Sequence, residues 1–114
     1  DEFRHCAVSL DDDMLSVYYS MVGDCPERIR CSTIHLSDDW EQWQASPPVD
    51  VLHPVEVWEG ADQLLEPSAR GLATKPVNQL RDPAIYKEGD HRYLLYSFAG
   101  EQGIAITALD ENFD

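Results

Sequence analysis

The sequence predicts an all-β fold: two antiparallel β-meander units joined by a long irregular loop. Three observations predict it. The stretch from Ala84 to Leu109 divides into three short β-favouring runs separated by turn residues. The same pattern recurs near the start of the chain. A third stretch, His53 to Gln79, carries Pro54, Pro67, Pro76, Gly60 and Gly71 and has neither strand nor helix period.

The first unit spans residues 3–52. Phe3 to Leu10 reads as a strand, Asp11-Asp12-Asp13 as its turn, and Met14 to Val22 as the returning strand. The three acids lack the alternating ligands, glycine and distal glutamate of a calcium loop, so a solvated hairpin turn is expected. Gly23 to Glu27 forms the next turn and Arg28 to Leu36 the third strand, with Arg30, Ser32 and Ile34 expected on its wetter face. Ser37-Asp38-Asp39-Trp40 has the chemistry of a capped helical turn, with Ser37 as the cap. Val49 to Leu52, after Pro47-Pro48, fits an outer edge strand, where a missing N–H does no harm. Trp40 and Trp43 are expected to pack beneath that strand rather than to form a sugar-stacking platform.

The second unit, residues 80–109, opens on Leu80-Arg81-Asp82-Pro83-Ala84-Ile85-Tyr86. Lys87-Glu88-Gly89-Asp90 is a turn, with a glycine available for positive φ. His91 to Phe98 is the second strand, Gly100 closes it, and Gln102 to Leu109 is the third. No fourth strand is expected here, and Asp110 to Asp114 is an acidic tail.

The two units align without a gap. Arg4, Ala7, Val8, Ser20 and Gly23 match Arg81, Ala84, Ile85, Ser97 and Gly100 at a constant spacing of 77 residues. After a slip of two residues, Ile29-Arg30-Cys31 matches Ile104-Ala105-Ile106. That is the signature of a repeated supersecondary unit. Tyr19 and Tyr96 recur at matched positions and are therefore expected in the core.

At 114 residues and 43% hydrophobic, the chain fits one small folded domain. Eight basic against twenty-two acidic residues give a formal charge of −14, which argues against nucleic acid and anionic lipid as partners. No apolar run reaches the roughly 20 residues of a membrane span, and no signal-peptide core is visible. Cys6, Cys25 and Cys31 have no metal spacing; Cys6 and Cys31 read as buried small hydrophobes, and a Cys25–Cys31 bridge is the disfavoured alternative. The default setting is a reducing, cytoplasmic one. The four histidines are scattered, and no phosphate-binding, dinucleotide or nucleophile-elbow motif occurs, so no cofactor is expected.

The repeated meander, with Arg81-Asp82-Pro83 heading one copy and Tyr93-Leu94-Leu95-Tyr96-Ser97 on its second strand, resembles the five-bladed β-propeller glycosidases of glycoside hydrolase families 43, 32, 62 and 68. The resemblance implies two propeller-like blades of four-stranded type, with functional carboxylates at the axis ends of inner strands. It implies a carbohydrate ligand and makes Asp82 the first catalytic candidate. Glu59, in the loop before it, is the candidate acid, with Glu66 as an alternative. Glycoside hydrolysis needs two carboxyl groups about 5–10 Å apart. His5 stands where the family carries a base aspartate, so a non-catalytic propeller-derived protein with a binding or assembly role is the leading expectation, and a glycosidase the alternative. His5 itself is expected as a buried, hydrogen-bonded histidine. Arg81, His5, Asn78, Gln79 and Trp58 are candidate ligand contacts, with a structural ion pair the other reading for Arg81. Two blades expose strand edges and apolar flanks, so a homo-oligomer is expected, in the first instance a two-fold dimer.

Overall fold

A computed structural model of the chain describes residues 2–109. The acidic tail lies outside them. The fold is all-β, with two antiparallel sheets. The first has strands β1 (Phe3–Asp11), β2 (Met14–Met21), β3 (Ile29–His35) and β4 (Val49–Leu52), in the order β1-β2-β3-β4. The second has β5 (Arg81–Glu88), β6 (His91–Phe98) and β7 (Gly103–Ala108), in the order β5-β6-β7. Both are meanders: β1–β2, β2–β3, β5–β6 and β6–β7 are joined by turns too short for any connection but the antiparallel one, and β4 returns antiparallel to β3 through the longer segment 36–48. No helix is long and apolar enough to cross a membrane.

The repeat holds at the level of hydrogen-bond register. Ala7 pairs with Tyr18 and Tyr18 with Cys31; in the second sheet Ala84 pairs with Leu95 and Leu95 with Ile106. Both first strands break register at the same place, between Phe3 and Cys6 and between Arg81 and Ala84. A bulge there bends the strand and redirects its side chains. Asp82, inside the second bulge, has φ +53°. A proline follows it, although a residue before proline prefers extended backbone, so this conformation is sustained by its surroundings.

The sheets pack face to face. Tyr18, Ile29 and Cys31 of the first meet Leu94 and Tyr96 of the second, with Leu80 and Leu109 closing the cluster. Ile29 and Cys31 on β3, and Leu94 and Tyr96 on β6, are two residues apart and so share the core face, as the two-residue period dictates. Tyr19 and Tyr96 are buried, as their recurrence predicts. The bonds between sheets are polar at one end: Arg92 reaches Ser9 and Asp11, and Lys87 reaches the Leu10 carbonyl.

Several local expectations are corrected. Cys6 is exposed, because it pairs with Tyr19 on the face of β1–β2 turned away from the second sheet. Cys25 is also exposed and Cys31 buried; all three are free thiols. Ser32 is buried beneath the Tyr19 hydroxyl rather than wet. Trp40 and Trp43 do not pack beneath β4; Trp40 is 70% exposed. The reason is the path of the chain. Residues 45 and 46 pair back onto Ile34 and Thr33 at the end of β3, leaving the short 3-10 turn Trp40–Gln42 beyond the sheet. Asp39, not Ser37, caps that turn, accepting from the Glu41 N–H.

Candidate functional site

The two bulges bring the strand heads of β1 and β5 together. Arg4 and Arg81, repeat equivalents, turn inward to one buried carboxylate. Arg4 holds Glu27 through two bonds, Nε–Oε2 at 2.8 Å and Nη2–Oε1 at 3.0 Å. Arg81 Nε stands 3.7 Å from Glu27 Oε1. Ser20 donates to Glu27 Oε2 at 2.6 Å. Glu27 has no solvent-exposed surface. Arg81 also donates to Gln79 Oε1 through Nε and Nη2 and to Glu101 Oε2 through Nη1. The Arg4 guanidinium is raised above its ordinary pKa chiefly by its hydrogen bond to Glu27, whereas burial and then the charge of Arg4 lower that of Arg81. Both remain cations at neutral pH.

The long loop is fastened by the same two arginines. Arg4 donates to the Ala69 carbonyl and Arg81 to the Gly71 carbonyl. The Ala73 N–H donates to Glu101. The loop thus forms one wall of a pocket of about 260 Å³, together with Arg4, His5, Arg81, Asp82 and Glu101.

At the mouth stand the second residues of each bulge. His5 Nδ1 and Asp82 Oδ1 lie 2.8 Å apart, and Ser97 donates to Asp82 Oδ2 at 3.1 Å. This corrects one expectation: His5 is exposed, because the bulge turns it out over the pocket while Arg4 takes the interior. Asp82 keeps about a third of its side-chain surface in solvent. A histidine ring with a second nitrogen and a carboxylate with spare lone pairs present both donor and acceptor capacity to a ligand.

The other expected contacts are elsewhere. Glu59 does not line this pocket. It is buried in the 3-10 turn Val57–Glu59, where Oε1 accepts the Val55 and Glu56 N–H groups and Oε2 accepts the Tyr96 hydroxyl at 2.8 Å. A carboxylate held in this way organises the loop and is not available as a general acid. Glu66 is exposed and lines a neighbouring hollow under residues 69–73. Gln79 is buried with its oxygen on Arg81, and Asn78 donates to the Gln63 carbonyl, so neither is free for a ligand in the way expected. Trp58 is half exposed, edge-on against Phe98 at 5.1 Å between ring centroids. Arg81 is a structural ion-pair residue whose guanidinium also floors the pocket.

The sequence does not point to Glu27 and Glu101 as site residues, since each reads as part of a turn. The available signal was indirect. Two arginines recurring at apolar strand heads need buried acidic partners, because an unpaired buried charge is costly.

The buried Tyr96–Glu59 pair gives a direct prediction. Burial, followed by the bond to Glu59, pushes the Tyr96 phenol well above its ordinary value. The folded value is raised, so the contribution is complete below about pH 10, the ordinary phenol value, and falls as the pH rises beyond it. In an ultraviolet phenolate titration Tyr96 should ionise above the ordinary phenol range. Tyr96→Phe should remove that late step and cost about 1.5–3 kcal/mol in urea unfolding, as loss of a bond to a charged group does.

Fold and site together define an all-β protein of two repeated meanders around a shared arginine–glutamate cluster. The chain is 40% identical over 103 residues, 90% of its length, to the uncharacterized protein R118 of Acanthamoeba polyphaga mimivirus, and spans 29% of the length of that protein. No protein-family model matches the chain. No solved structure matches it.

Proposed function

We propose that the two meanders are adjacent blades of a propeller-derived protein and that the pocket between β1 and β5 binds a neutral polyhydroxylated ligand, a carbohydrate. The observation that carries this reading is the His5–Asp82 pair. Two repeat-equivalent positions converge at 2.8 Å on the rim of a pocket whose floor is already neutralised by paired charges. Such a rim suits hydroxyl groups, which both donate and accept. The neighbouring acidic groups and the net charge of −14 disfavour anionic ligands. The positive φ of Asp82 places a strained residue at the same rim, as is common at ligand sites.

Binding without hydrolysis is the stronger form of the reading. Hydrolysis needs a second carboxyl group free to give a proton to the leaving oxygen. Glu101 lines the pocket, but its Oε2 is engaged by Arg81 and by the Ala73 N–H, and Glu59 is engaged in the loop. The test is a screen of neutral mono- and oligosaccharides by NMR shift perturbation, with Asp82→Asn as the comparison. Asparagine tolerates positive φ, so the backbone is kept while the charge and the His5 pairing change. Binding should weaken about tenfold or more in the variant, in line with loss of a charged hydrogen bond. Sugars that bind both proteins equally, or none that shift the pocket resonances, would sink the reading. Reducing-end release by the wild-type chain, abolished in Asp82→Asn, would favour the glycosidase alternative.

A further inference from the structure

The pocket has a neighbour. Beside it lies a second hollow of about 190 Å³, and Gly71, Leu72 and Arg81 border both. The strap of chain between them is thin. Ala69, Arg70, Gly71 and Leu72 are all exposed, and Leu72 keeps 74% of its surface in solvent. Nothing lies within 4 Å of the point where a side chain on Gly71 would begin. At Gly71, therefore, no side chain of the strap stands between the two hollows.

The lining of the second hollow is that of a binding site. Pro67, Leu72, Ala73 and Val77 give it an apolar wall. Gln79, only 4% exposed, is its buried polar group. Arginine only donates, so the bonds from Arg81 go to the amide oxygen of Gln79 and fix which way that amide faces. The amide nitrogen keeps two N–H donors and has no hydrogen-bond partner among the described residues. An apolar wall with a few placed polar groups is the usual make-up of a small-molecule site, and such sites span about 300–1,000 Å³. Neither hollow reaches that range alone, and the two together do.

We infer that the hollow is a second subsite of the His5–Asp82 pocket, and that the ligand is a chain of at least two sugar units with one unit in each. The inference rests on the carbohydrate reading of the pocket. In the first subsite hydroxyls meet the His5 ring and the Asp82 carboxylate. In the second the Gln79 amide donates to an oxygen of the next unit, whose C–H face packs on Leu72 at the border. A second linked unit adds contacts without a second full loss of translational freedom. Affinity should therefore climb with the second unit and level off at the third.

The test compares matched sugars on the unaltered chain: glucose against cellobiose and cellotriose, glucose against maltose and maltotriose, xylose against xylobiose. NMR titration gives each Kd and follows the side-chain amide signals of Gln79, assigned by their absence from Gln79→Glu. At least one disaccharide should bind about tenfold more tightly than its monosaccharide, as one added hydrogen bond with its packing provides. It should also shift the Gln79 amide signals, which the monosaccharide leaves in place. Gln79→Glu keeps an oxygen for Arg81 and removes both N–H donors, so the ratio of the two affinities should fall toward one. Disaccharides that bind no better than their monosaccharides, with the Gln79 signals unmoved, overturn the inference and leave the pocket reading standing. Gln79 signals that move equally with a monosaccharide also overturn it, since one unit then fills the hollow by itself. If none of these sugars shifts the pocket signals, the pocket reading falls and the inference falls with it.

Discussion

Replacing Glu27 with glutamine is expected to lower the unfolding free energy by about 3–5 kcal/mol, the usual cost of breaking a buried ion pair from one side. Glu27 is wholly buried, accepts two bonds from Arg4 and one from Ser20, and lies 3.7 Å from Arg81. Glutamine has nearly the same shape but no charge, so Arg4 is left without a counter-ion in the interior. Arg81 keeps Glu101 and Gln79. Against a typical total of about 5–15 kcal/mol, the loss is a large share. Urea unfolding followed by circular dichroism measures it. Adding Arg4→Met should recover part of it, since the stranded cation is then gone and the methionine fills the space. A glutamine variant as stable as the wild type would show that Arg4 is hydrated and that the cluster contributes little. Because Arg4 also lines the pocket and donates to the Ala69 carbonyl of the loop, freeing it from Glu27 should loosen the pocket rim as well.

Gly60→Ala is the second large effect. Gly60 ends the 3-10 turn at φ +99°. A Cβ there would stand 2.1 Å from the Val77 carbonyl oxygen and 3.2 Å from the Ala99 Cα. Both are backbone atoms, so the obstacle cannot rotate away. Three chain segments cross here, tied by the Val77 N–H to the Ala99 carbonyl and the Ala99 N–H to the Glu59 carbonyl. The left-handed backbone costs an alanine about 1–2 kcal/mol, and overpacking adds about 1–3 kcal/mol. Gly89→Ala is the control. It has positive φ but nothing within 4 Å of the added carbon, so it should lose only the first of these terms. Thermal unfolding of both variants separates the two contributions. Equal losses would mean that the crossing yields to the extra carbon.

How much of this was legible in the sequence varies with the range of the interaction involved. β4 and β6 match their expected spans, and the other strands differ by one to a few residues at their ends. Strand formation here is set by local alternation and turn chemistry, which a single sequence carries. The repeat was legible too, because its marks are residue identities at fixed spacing. The site was legible only in part. Asp82, His5 and Arg81 do converge, but Gln79, Asn78 and Glu59 proved to be fastened within the fold. Nothing in the local sequence distinguishes a loop glutamate in solvent from one that closes a turn beneath a tyrosine. The exposure of Trp40 and Trp43 is not legible for a similar reason: it depends on where residues 45 and 46 pair, which lies outside the segment itself.

The sequence by itself determined the all-β class, the strand order within each meander and the equivalence of the two halves. Each depends on residues close in the chain or on direct comparison of one stretch with another. Tertiary structure alone decided the sharing of Glu27 by two arginines, the position of His5 at the rim, and which apolar faces are covered. These depend on how one sheet is set against the other. That placement is a balance of buried charge, bulge geometry and face-to-face packing between residues far apart in the chain, and no local period records it.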